Sequence, residues 1–101
     1  MAGRFAELID RQLDLFEQED AEFLARVEQA ERDYDEANRE DAEKVYGRFQ
    51  ELVEFGTEAL AELRDGYAAT LDPEVADAYV AEFNATVHAR LPRFALEIDD
   101  V

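Results

Sequence analysis

Few side chains in this 101-residue chain could attack an electrophile or carry a proton. There is no Ser and no Cys, which removes the commonest nucleophiles together with disulfides and thiolate metal sites. What remains is Thr57, Thr70, Thr86, Lys44, the tyrosines and the carboxylates. Each Thr stands alone and reads as an ordinary helical residue. The single histidine, His88, would need an ordered partner to act as a base or a metal ligand. Its nearest helical neighbour is Asn84, so it reads as a surface or boundary residue. The four glycines are scattered, and no Gly-rich loop is present to cradle a phosphate.

Carboxylates are the abundant chemical resource. Glu51, Glu54, Glu58, Glu62 and Asp65 fall on one face at helical spacing, opposite a Leu/Phe stripe. A di-metal centre in a helical bundle needs inward-pointing Glu and Glu-x-x-His pairs. Three residues before His88 stands Ala85, so that pair is missing. The five acids read as a solvated face, and no catalytic, cofactor-binding or metal-ligating residue is expected. A carboxylate-based metal protein or enzyme is the alternative. Phe55 interrupts the acidic face and is a candidate second contact point. Asp20 lies near an apolar stripe. Either Arg64 or a neighbouring subunit's arginine pairs with it, or it edges into solvent.

The formal charge of −17 is extreme for this length and repels itself unless salt screens it. Nine of the ten basic residues are Arg. Together these features point to a protein from a salt-accumulating halophile. No Lys/Arg patch is concentrated enough to hold nucleic acid, and the charge is wrong for an anionic membrane surface. No run of about 18 apolar residues is present to span a bilayer. The stretch MAGRF lacks a signal-peptide core, so a cytoplasmic location is expected.

Scarce turn residues favour an all-α fold in one domain over 1–101. Phe5, Ile9, Phe16, Phe23, Val27 and Tyr34 share a stripe that predicts one helix over about 4–35. Val45, Phe49, Val53, Leu60 and Tyr67 predict a second over about 39–70. Asn38 is a good N-cap with Asp41 three residues on, so the charged stretch 31–46 reads as a hairpin tip. Folding there sets residues whose numbers sum to 76 opposite each other, placing Asp20 against Gly56 and Phe23 against Val53. Asp72 and Pro73 begin a third helix over about 73–91, which should reach back only to about Leu52. The result is a long antiparallel hairpin plus a shorter helix, a three-helix, bundle-like subunit.

The distal half of such a hairpin has no third helix. Val27, Tyr34, Val45, Tyr46 and Phe49 lie there with too little cover. The expected remedy is self-association, most simply a two-fold dimer forming a four-helix bundle, or an unknown protein partner. Phe55 and Phe94 complete the candidate interface. The tail 92–101 offers a monomeric remedy. Its Phe94, Leu96 and Ile98 alternate as in an extended segment, while Phe94 and Ile98 also suit a short helix begun by Pro92.

Overall fold

The computed structural model describes residues 3–101, and every regular element among them is helical. The hairpin is present, but its first arm is two helices, α1 (Ala6–Glu19) and α2 (Ala21–Glu36). The return arm is α3 (Ala42–Ala68), and the third helix is α4 (Pro73–Arg90). A 3-10 turn at Pro92–Phe94 then leads into the one-turn α5 (Ala95–Ile98).

The single helix expected over 4–35 is interrupted at Asp20, where φ and ψ are −108° and 26°. Aspartate competes with its own backbone for hydrogen bonds inside a helix, and here it follows Glu17 and Glu19 and precedes Glu22. The interruption is mild. Asp20 N–H still donates to Phe16 O and Leu24 N–H to Asp20 O, both at 2.9 Å. At 1.5 Å per residue the two helices would span about 46 Å if collinear, which suits a molecule 50 Å long.

Local turns and a proline mark the other boundaries. Asn38 Oδ1 accepts the Asp41 N–H at 3.0 Å and so closes the turn over 39–41, but α3 itself begins only at Ala42, later than the expected 39, and Asp41 before it makes no side-chain capping bond. Pro73 opens α4 after an extended Asp72, whose carboxylate makes no capping bond. The start of α1 is closed from a distance: Glu82 on α4 accepts the Phe5 N–H at 3.0 Å. Negative charge suits that end of a helix.

The core runs the length of the hairpin. Ile9, Leu13, Leu60, Tyr79, Phe83 and Val87 fill the proximal part, where α4 covers α1 and α3. Tyr79 crosses it, packing its ring against Phe5, Tyr67 and Phe83 while its hydroxyl donates to Gln12 Oε1 at 2.8 Å. Burial raises the phenol's pKa above its ordinary value, against the opposing effect of the Gln12 bond.

The arms are paired in a different register from the one expected. Phe23 stacks beside Phe55 rather than Val53, and Tyr46 beside Tyr34 rather than Ala30. Gly56 therefore faces Phe23, not Asp20, and Asp20 borders Ala59. On the other seam Arg64 meets Asn84 and Tyr67 meets Tyr79. α4 thus ends near Gly56, short of the Leu52 expected. Two stripes of period 3.6 match at several offsets about a turn apart, so periodicity alone cannot choose among them.

Candidate protein interface

The tail takes the helical form, not the extended one, and lies over the front of the distal hairpin. Phe94 and Ile98 are fully buried there. A Cβ on Gly56 would fall 2.4 Å from the Phe94 ring, so the missing side chain makes the seat for that phenyl. Polar tethers flank it. Arg93 grips Glu31 of α2 through two bonds of 3.1 and 3.2 Å, and Gln50 of α3 donates to Glu97 at 3.3 Å.

Arg64 closes the tail's end. Its side chain is only 3% exposed, yet it is fully satisfied. It bonds Asp65 at 2.8 Å, Asn84 Oδ1 and the Ile98 carbonyl at 2.9 Å each, and the Val101 carbonyl. The Ile98 carbonyl ends α5, where orphan acceptors favour a cation, and that of Val101 lies three residues beyond. Arg64 is therefore not the partner of Asp20. The sequence signal for this role was available: Arg64 shares its helix face with Thr57 and Leu60, and a cation on an apolar face needs buried acceptors.

This cover sorts the candidate interface residues. Val27 and Phe94 are buried within the chain itself and offer no free surface in this fold; Val45 and Phe49 are half-buried. Tyr34 and Tyr46 remain 39% and 45% exposed, with ring centroids 5.2 Å apart. They lie one turn beyond Glu31 and Gln50, where the tail's tethers stop. Phe55 is 63% exposed.

Phe55 belongs to the back of the hairpin, the side of the α2–α3 seam turned away from the tail. A groove of about 340 Å³ there is lined by Phe23, Arg26, Arg48, Glu51, Leu52 and Phe55. One turn further from the tip, a groove of about 240 Å³ is lined by Gln12, Leu15, Phe16, Glu19, Asp20, Ala59 and Leu63. Leu15, half exposed, sits off the main stripe and was not expected to matter. Knowing the seam register would have revealed this strip, because Leu52, Ala59 and Leu63 share one edge of α3.

The chemically capable residues are dispersed. The Thr57, Thr70 and Thr86 hydroxyls each donate to a backbone carbonyl three or four residues earlier, at 2.7–2.8 Å. His88 gains a partner unseen in the sequence, Asp99, with Nε2 and Oδ2 3.1 Å apart on an exposed surface. The acids Glu51, Glu54, Glu58, Glu62 and Asp65 all face solvent. No three His, Asp or Glu converge as metal ligands among the described residues. Arg90 holds three carboxylates of the first helix, Asp10, Asp14 and Glu17, at 3.4, 2.8 and 3.3 Å. Desolvation is the largest influence on its pKa and lowers it, but the surrounding acids together raise it.

No helix among the described residues is long and apolar enough to cross a membrane. Comparison with models of known families, with characterised proteins and with solved structures finds no match.

Proposed function

We propose that this is a non-enzymatic, cytoplasmic protein that works by protein–protein contact, with self-association as its simplest form and a high-salt interior as its setting. The observation that carries this reading is the position of the exposed aromatic residues. Tyr34, Tyr46 and Phe55 all lie on the distal half, beyond the reach of α4. Aromatic side chains supply large contact area with few rotamers to fix, and they are enriched in the centres of interfaces. The overall charge of −17 sets the condition: copies repel at long range, and at about 1 M salt the screening length falls to about 3 Å.

The test is the mass of the full chain by light scattering, over a wide concentration range, in molar and in low KCl. The expected result is a mass that rises above 11.6 kDa with concentration in molar salt and returns toward it in low salt. Far-UV circular dichroism should show helicity falling as KCl is removed. A monomer at every concentration, whose Tyr46 and Phe55 amides and rings are undisturbed by the proteins that co-purify at native salt, would sink the contact reading.

A further inference from the structure

We infer that the back seam of the hairpin is a self-complementary surface that pairs with a second copy about a two-fold axis near Phe55. The inference rests on the contact reading and adds its location and partner. Three observations support it. First, the seam is apolar along its floor: Phe23 and Leu52 line it on the tip side of Phe55, and Leu15, Ala59 and Leu63 on the other. Second, its two ends carry opposite charge. Arg26 and Arg48 outnumber Glu51 in the tip-side groove, and neither arginine is ion-paired within the chain among the described residues. Glu19 and Asp20 border the groove on the far side, likewise without a cationic partner. Third, Phe55 lines the tip-side groove and stays largely exposed.

A two-fold axis perpendicular to the seam at Phe55 exchanges its ends. With the axis lying in the contact plane, each copy's Arg26 then lies over the other's Glu19 and Asp20, its Arg48 over the other's Glu62, and the two Phe55 rings meet at the axis. The spacing allows it. Arg26 stands beside Leu52, about 4.5 Å along the helix from Phe55, and Asp20 stands beside Ala59, about 6 Å along in the other direction. Arginine's long side chain absorbs the difference. Parallel stacking of copies would instead set arginine on arginine. An isologous contact of this kind closes at two copies and leaves no open end to propagate.

Magnitude decides the character of the pair. From Arg48 to Leu63 the strip is about 22 Å long, and two packed helices are about 20 Å wide. The projected face of about 450 Å² falls short of the roughly 800 Å² per partner of a stable complex. The dimer is therefore a transient one that forms in high salt at high protein concentration.

The experiment is a charge-swap pair in the full chain, followed by light scattering and sedimentation in molar KCl. Arg26→Glu should weaken dimerisation by at least about tenfold, as should Glu19→Arg with Asp20→Arg. An equimolar mixture of the two variants should restore association as a heterodimer. Circular dichroism of each variant alone establishes that it is folded. Phe55→Ser, a solvent-face change, should abolish the pair without loss of helicity. If the wild-type chain dimerises, but Tyr34→Ser with Tyr46→Ser disrupts it while the seam variants do not, the inference is overturned and the contact reading stands. If wild-type protein stays monomeric to millimolar concentration in molar salt, both self-association and this seam fail.

Discussion

The two halves of the hairpin solve one covering problem by different means. In the proximal half a full helix, α4, lays Tyr79, Phe83 and Val87 into the space between α1 and α3. In the distal half two apolar side chains, Phe94 and Ile98, do the equivalent work from seven residues of short helix. The proximal cover is continuous with the main core. The distal cover is held by a phenyl seated on a glycine, polar tethers at its edges and an arginine at its end. A short segment so attached can open locally without unfolding the rest, whereas α4 cannot.

The largest effect should come from the proximal core. Phe83→Ala removes a fully buried ring and should cost about 3–5 kcal/mol, read as a global fall in urea or thermal stability. Phe94→Ala deletes an equally buried ring, yet its cost is capped by the free energy of tail docking, since the tail can release once that cost is exceeded. Hydrogen exchange sharpens the contrast. Phe94→Ala should speed exchange at the tail and leave amides in the middle of α4 protected, while Phe83→Ala should weaken protection throughout. Equal, global losses for both would show that the halves are one cooperative unit.

Arg64→Met comes next. The change keeps the buried stem but orphans the Ile98 carbonyl and the Asn84 amide oxygen, at about 2–3 kcal/mol. Lys is not an adequate substitute, because one ammonium cannot span the acceptors that the planar guanidinium reaches. Arg64→Lys should therefore recover less than half of the loss in chemical denaturation.

Much of this contrast was legible in the sequence. The hairpin, the turn at Asn38, the start at Pro73 and the shortfall of the third helix all follow from local residue types and helical period. The seam registers did not, because the stripes repeat every turn and only particular meetings, such as Phe94 with Gly56, choose the offset. The tail was ambiguous for a related reason: Phe94 and Ile98 suit both forms, and it is Arg64 and Gly56, more than 30 residues earlier, that favour the helical one. Helical period leaves Val27, Tyr34, Val45, Tyr46 and Phe49 with too little cover and does not say which of them the tail reaches. The tail removed Val27 and Phe94 from the uncovered surface, and the seam register brought Leu15, Arg26 and Glu19 into view.

A smaller effect separates the halves by pH. Tyr79 belongs to the proximal core, and its folded-state pKa is raised, chiefly by burial. The folded state therefore favours the protonated phenol. Its contribution to stability is intact below the unfolded value of about 10 and is lost as pH rises through the higher folded value. Tyr79→Phe should cost about 1 kcal/mol at neutral pH, through the lost bond to Gln12. Above pH 10 that deficit should shrink and then reverse, because the variant has no phenol to ionise at this site. Urea unfolding on both sides of pH 10 reads the crossing, and parallel stability curves would remove Tyr79 as the cause of alkaline loss.

Gly56→Ala has the smallest expected effect and tests the distal cover most directly. Alanine favours helix over glycine by about 1 kcal/mol, so on propensity alone the change stabilises α3. Its Cβ would stand 2.4 Å from the Phe94 ring and 3.1 Å from that of Phe23. Overpacking of this kind costs about 1–3 kcal/mol while the ring stays seated. The two terms leave a net loss of about 1 kcal/mol, or less if the tail releases and relieves the clash. Release has its own signature: faster exchange at the tail amides and loss of the Arg93–Glu31 pairing, with the proximal half unchanged. In a Phe94→Ala background only the 3.1 Å approach to Phe23 remains, and the same Gly56→Ala change should cost clearly less than in the wild-type chain. If its cost there equals that in the wild-type chain, the Phe94 seat is not what selects glycine at this position.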